Sequence, residues 1–132
     1  MGEGKLGDVK GVMANFGFKP ADPVPQRLFD PALGGGALLD IGIYPVFLAQ
    51  SLMGVPDEIL AHMNPASTGV DEQCSIQFKY MDGRSASLFA TLASNLETDA
   101  DIFGTAGRVR AMSEFGWDAV AAATIALYRS VL

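Results

Sequence analysis

The sequence predicts an α+β domain in which an open, mostly antiparallel sheet carries a helix on one face. Three observations support this. Apolar residues recur at clear helical spacing in one segment, residues 38–53. Several other segments alternate apolar and polar residues with a period of two. A proline-rich stretch separates the first such segment from the helix.

In residues 9–18, Val12, Ala14, Phe16 and Phe18 occupy every second place, as in a strand with one buried face. Residues 19–31 hold Pro20, Pro23, Pro25 and Pro31, which fix φ and remove backbone donors, so a surface loop is expected there, running on to Gly34, Gly35 and Gly36. A loop of that length in a compact domain points to function. In residues 38–53, Leu39, Ile43, Val46 and Phe47 fall on one side, and Gly54 and Pro56 end the pattern. Pro45 deletes one backbone hydrogen bond, which predicts a kink or an offset first turn near Ile41. Residues 59–64 alternate, and Cys74, Ile76, Phe78 and Tyr80 form the cleanest period-two run. Asp82-Gly83 supplies the positive φ of a tight hairpin, and Ala86, Leu88, Ala90 and Leu92 share one face of the returning strand. Residues 101–104 and 108–112 read as a further pair joined by Thr105-Ala106-Gly107. The tail, 119–132, mixes helix-favouring alanines with strand-favouring Val120, Thr124, Ile125 and Val131, and is read as a strand. The face of the sheet away from the helix needs a cover, and a second copy of the same sheet is expected to provide it.

The 132 residues, 49% of them hydrophobic, fit one domain able to bury its own core. Nine Lys and Arg against fifteen Asp and Glu give a net charge of −6, and no basic run is present, which argues against nucleic acid as a partner. The single cysteine, Cys74, cannot form an internal disulfide, and no secretory signal pattern opens the chain; a cytoplasmic location is expected. The longest apolar stretch, 37–53, is short and interrupted by Asp40, Pro45 and Gln50, so no membrane span is expected.

Gly2, Gly4 and Gly7 spell the G-x-G-x-x-G of a dinucleotide-binding turn. That turn needs a buried strand before it and a helix after it, to place the pyrophosphate at a helix N-terminus. Only Met1 precedes it and a strand follows, so the match reads as accidental. A better candidate lies in the helix. Asp40 and Tyr44 are four residues apart, which puts a carboxylate and a phenol on one face. Such a pair can accept a hydrogen bond from a substrate hydroxyl and exchange a proton with a carbonyl or alcohol oxygen. The same spacing also fits a helix-start acid favoured by the dipole beside a half-buried aromatic, and spacing alone leaves both readings open. Gly42 keeps the helix surface between them bare, and Gly35 and Gly36 allow close backbone approach, making them the candidate cofactor contacts. Arg27, just ahead of the glycines, could bind substrate hydroxyls or a phosphate, or be a solvated loop charge. His62 is the only histidine, with no second ligand nearby in sequence, and Cys74 alternates with apolar positions; both read as structural, and no metal is expected.

The run GGGALLDIGIYP, residues 34–45, closely resembles the C-terminal-domain signature of the glucose-fructose oxidoreductase, inositol dehydrogenase and dihydrodiol dehydrogenase (Gfo/Idh/MocA) superfamily. Gly7-Asp8-Val9, Arg27, Pro31-Ala32, Gly69-Val70-Asp71-Glu72, Tyr80-Met81-Asp82-Gly83 and residues 102–107 agree with it in order, so the resemblance covers about residues 7–112. It implies a C-terminal substrate-binding and oligomerisation domain spanning 1–132, with an N-terminal Rossmann domain and its catalytic lysine in a Glu-Lys-Pro motif belonging to the intact parent and absent here. It further implies NAD- or NADP-dependent oxidoreduction of CH–OH groups in the parent, on a sugar, polyol or cyclic diol, with Asp40 and Tyr44 in the pocket. Tyr44 rather than histidine suggests the sugar and dihydrodiol branch; its higher intrinsic pKa calls for a neighbouring cation if it is to donate a proton. The isolated chain is then expected to be inactive and to bind no cofactor tightly. It is also expected to form a homodimer or homotetramer through its sheet face. The alternative from a different class is a non-catalytic oligomerisation and binding module.

Overall fold

The structure, a computed structural model, describes residues 6–113. Six strands form one sheet: β1 (Val9–Gly17), β2 (Glu58–Pro65), β3 (Asp71–Lys79), β4 (Ser85–Thr91), β5 (Thr98–Gly104) and β6 (Arg108–Ser113). Their order is β2-β3-β4-β1-β5-β6. Four of the five pairings are antiparallel; β1 and β4 alone run parallel, with Ala14 beside Leu88 and Phe16 beside Ala90. The connection from β1 to the rest of the sheet holds the proline-rich loop and the helix, as a parallel crossover requires. The tail read as a strand, 119–132, lies outside the described residues, as do the first glycines of the N-terminal G-x-G-x-x-G run.

The segment between β1 and β2 is more ordered than a plain loop. Two short 3₁₀ turns, Gln26–Leu28 and Pro31–Leu33, precede a wide π turn, Leu38–Gly42, which continues into helix α1 (Ile43–Met53). The irregular first turn expected near Ile41 takes this π form, and Pro45, buried just after it, sits where a regular helix would use its missing donor. Gly54, at φ 79°, ends the helix, and its carbonyl accepts the Tyr80 hydroxyl at 3.0 Å.

Alternation decides which side of each strand meets the helix. Val12 and Ala14 of β1, Cys74, Ile76 and Phe78 of β3, Ala86, Leu88 and Ala90 of β4, and Ala100 and Ile102 of β5 are buried in one core with Leu28, Ala37, Ile41, Ala49 and Met53. A β-carbon added at Gly42 would lie 3.4 Å from Cβ of Ala90, so the bare helix surface there serves close packing on the sheet. The sequence reading of the helix face is corrected by the structure. Leu39, Ile43 and Phe47 are 58%, 44% and 62% exposed, and the residues that pack down are Ile41, Pro45, Ala49 and Met53. The helix is apolar on nearly every side, and small residues let it sit close to the sheet. The segment Pro31–Met53 is long and apolar enough by composition to cross a membrane, but Ala37, Ile41, Ala49 and Met53 belong to the core.

The opposite face of the sheet carries a network of polar side chains beside the half-buried Phe89 and Phe103. Ser87 donates to Gln77 (2.9 Å), Asn15 donates to Asp99 (3.1 Å), and Arg110 donates to the other Asp99 oxygen (2.6 Å). Among the residues whose side chains are described, Met13 on β1 and Leu60 on β2 are the exposed large apolar ones on it.

Candidate active site

The buried side chain of Leu28 anchors the 3₁₀ turn that carries Arg27. The Leu28 amide bonds the Pro25 carbonyl and the Phe29 amide bonds the Gln26 carbonyl, both at 3.1 Å. Arg27, on the outer side of this turn, donates from Nη1 to Asp40 Oδ1 at 2.5 Å, a charge-assisted bond between a 63% exposed guanidinium and a 17% exposed carboxylate. Asp30 holds the next turn by accepting the Ala32 amide at 2.8 Å and the Gln26 side-chain amide at 3.1 Å.

The glycines then fold back onto this loop. Gly35 donates to the Asp30 carbonyl at 2.9 Å and Gly36 to the Leu28 carbonyl at 2.8 Å. A β-carbon on Gly35 would lie 2.8 Å from the Leu28 carbonyl oxygen and from the Asp30 nitrogen. On Gly36, at φ +117°, it would meet Asp71 Oδ1 at 2.2 Å. Gly35 and Gly36, the candidate cofactor contacts, are both buried, and the space beside their α-carbons is filled by the chain's own loop and by Asp71.

Asp40 follows within the π turn, its amide bonding the Gly36 carbonyl at 3.1 Å. Tyr44 comes one turn later, half-buried, with its ring 5.8 Å from that of Phe16 and tilted by 39°. The structure thus joins Arg27 to Asp40 directly, and Tyr44 follows Asp40 by four residues on the same helical segment, its ring against Phe16 of β1. A paired carboxylate and a phenol can bind a hydroxylated carbon, the carboxylate as acceptor and the phenol at the reacting oxygen.

Asp71 is a residue that sequence reasoning did not single out. It stands at the start of β3, 33 residues from Leu38, and accepts the Leu38 amide through Oδ2 at 2.6 Å. Its only sequence signal was membership of the Gly69-Val70-Asp71-Glu72 match; a cap supplied from so far along the chain has no local signature. The neighbouring Cys74 thiol is pushed up to about 11, by burial first and then by the charge and hydrogen bonding of Asp71. His62 is exposed on edge strand β2, opposite Ser75. Among the described residues, no group of three or more His, Cys, Asp or Glu side chains is placed to hold a metal ion.

The family model of the GFO/IDH/MocA C-terminal domain matches residues 1–110. The chain belongs to that family. It is 41% identical over 114 residues to trans-1,2-dihydrobenzene-1,2-diol dehydrogenase of Xenopus laevis, which covers 85% of this chain and 34% of the relative. Against D-xylose 1-dehydrogenase (NADP(+)) 2 of Haloferax volcanii, identity is 31% over 122 residues, covering 92% of this chain and 38% of the relative. Among solved structures, the aldose-aldose oxidoreductase of Caulobacter crescentus complexed with glycerol superposes with a TM-score of 0.71 at 29% identity, over 86% of this chain and 36% of that one. The GFO/IDH/MocA domain described here spans about a third of the length of the curated relatives it matches. Its mixed six-stranded sheet and single main helix agree with the predicted fold, and its family is one of oxidoreductases.

Proposed function

We propose that this chain is the substrate-facing domain of an NAD(P)-dependent oxidoreductase acting on the CH–OH group of a sugar, polyol or cyclic diol. The observation that carries the reading is the Arg27–Asp40 pair, held one turn from Tyr44 inside the GGGALLDIGIYP run. A nicotinamide bound to the parent's other domain supplies hydride acceptance and return. The work of this chain is to bind and orient. Asp40, oriented by its bond to Arg27, accepts a hydrogen bond from a substrate hydroxyl. Tyr44 holds the proton of the reacting oxygen. A phenol in that role works with a cation close to the reacting oxygen, which favours giving the proton up and taking it back. Arg27, already bonded to Asp40, is read as orienting that carboxylate more than as a free anion receptor.

The names of the relatives support the substrate class: a dihydrobenzenediol in one and D-xylose with NADP(+) in another. We assign 1–132 as one substrate-binding and oligomerisation domain, with cofactor binding supplied by a separate Rossmann domain. We further propose that copies of the chain pair through the open sheet face around Met13 and Leu60, giving a homodimer or homotetramer. A cytoplasmic setting fits the single buried thiol.

The test is hydride transfer followed as NAD(P)H absorbance with D-xylose and a trans-1,2-diol. The parent enzyme containing this domain turns over at least one of them, and Asp40→Asn or Tyr44→Phe lowers kcat/KM by about 10²–10⁴. The 132-residue chain alone gives no turnover. Full activity in both variants would remove Asp40 and Tyr44 from the site.

A further inference from the structure

We infer that Asp71 is a positioning residue for this site: from the sheet, it caps the helical segment that carries Asp40 and so holds Asp40 within reach of Arg27. The inference concerns the site proposed above and rests on that reading for its functional meaning. Three observations converge on it. Asp71 Oδ2 accepts the Leu38 amide at 2.6 Å, in the first turn of the segment, where backbone donors lack helical partners. Its other oxygen occupies the space beside Gly36 so fully that a β-carbon there would sit 2.2 Å away. The Gly36 carbonyl in turn accepts the Asp40 amide at 3.1 Å, so the carboxylate, the glycine and the acid form one continuous chain of contacts.

The consequence is geometric. The first turn is of the wide π type, and none of its side chains caps it. Without Asp71 the Leu38 amide loses its partner, the Gly36 backbone loses the group it packs against, and the turn is free to rewind. Rewinding by one residue rotates Asp40 by about a quarter of a turn or more, away from the 3₁₀ turn that carries Arg27. Asp71 touches neither a substrate nor the reacting atoms in this scheme; it acts through the turn. Its carboxylate is fixed because it stands at the first position of β3, directly before the run Cys74, Ile76 and Phe78 that is buried in the core.

The experiment uses the ¹⁵N-labelled 132-residue chain and reads two signals by NMR: hydrogen exchange at the Leu38 amide, and the guanidinium resonances of Arg27, which exchange slowly when bonded to Asp40. Asp71→Ala is compared with Val12→Ala, which weakens the sheet core without touching the turn. Asp71→Asn keeps an acceptor oxygen and serves as the conservative rescue, and as the test variant if Asp71→Ala does not fold. In Asp71→Ala the Leu38 amide exchanges about 10- to 100-fold faster than in Val12→Ala, corresponding to loss of a hydrogen bond to a charged acceptor. The protected Arg27 signal is lost at the same time, and Asp71→Asn recovers part of both. Arg27 protection in Asp71→Ala equal to that in Val12→Ala would overturn the inference; where Asp71→Ala does not fold, so would an Asp71→Asn variant whose Leu38 amide exchanges faster while Arg27 protection stays at the wild-type level. Adding a trans-1,2-diol to the wild-type chain separates the two claims: failure of the diol to shift any site resonance counts against the proposed function, while the Arg27 signal alone decides the role of Asp71.

Discussion

Replacing Gly36 with alanine is the sharpest probe of how the turn ahead of the site is held, because a control lies two residues away. Gly34 also has a positive φ, +71°, but a β-carbon there would have nothing within 4 Å. Gly34→Ala therefore meets only the backbone cost of a left-handed conformation, about 1–2 kcal/mol. At Gly36 the φ of +117° is less accessible still, and the new methyl would stand 2.2 Å from Asp71 Oδ1, which must move. Backbone strain of about 1–3 kcal/mol then adds to a lost charge-assisted bond to the Leu38 amide of about 1.5–3 kcal/mol, giving a total of about 2.5–6 kcal/mol. Urea unfolding followed by circular dichroism reads both costs directly. The Gly36→Ala, Asp71→Ala double variant should be about 2 kcal/mol more stable than the sum of the single losses predicts, because the collision and the bond vanish together. Equal costs at Gly34 and Gly36, or strict additivity of the double variant, would refute the reasoning.

Other expectations follow from the same structure. Phe47→Ser, on the outward side of α1, should change stability by no more than about 0.5 kcal/mol, whereas Met53→Ala, buried beneath it, should cost about 2–5 kcal/mol; urea midpoints check both, and the reverse order would restore the face first read from the sequence. Burial keeps Cys74 protonated in the fold up to about pH 11, against an ordinary value of 9.0. Between those values the unfolded chain has lost a proton that the folded chain retains, so stability falls as pH rises through that window, by up to about 2–3 kcal/mol. Cys74→Ala should flatten that part of the profile, measured as urea stability from pH 8 to 11 with the buffer range as the only variable. Leu28→Ala, which removes the anchor of the Arg27 turn, should cost about 2–5 kcal/mol and weaken the Arg27–Asp40 contact, visible as faster guanidinium exchange.

The strands were legible because their pattern is local. Cys74, Ile76 and Phe78, and Ala86, Leu88 and Ala90, alternate cleanly, and the residues around Asp82-Gly83 do join β3 to β4, with Gly83 at φ +89°. The helix was legible in place but not in orientation. Leu39, Ile43 and Phe47 share a side by spacing, yet Ile41, Pro45, Ala49 and Met53 share another, and periodicity cannot choose between two apolar sides. Only contact with the sheet decides, and it selects the side with the small Ala49 and with Gly42 next to it. The parallel pairing of β1 with β4, the capping of the turn by Asp71 and the bond from Arg27 to Asp40 all join residues distant in sequence or on different turns, and no local pattern encodes them. Arg27 and Asp40 were each named as candidates from motif position; that they touch is information the fold adds.

The most direct test of the central claim is to map ligand binding on the ¹⁵N-labelled chain, titrating D-xylose and a trans-1,2-diol and following backbone and side-chain resonances. The account predicts saturable shifts centred on Arg27, Asp40 and Tyr44, abolished by Asp40→Asn while the resonances of β5 and β6 stay unchanged. Shifts that centre elsewhere, or that persist in Asp40→Asn, would contradict it.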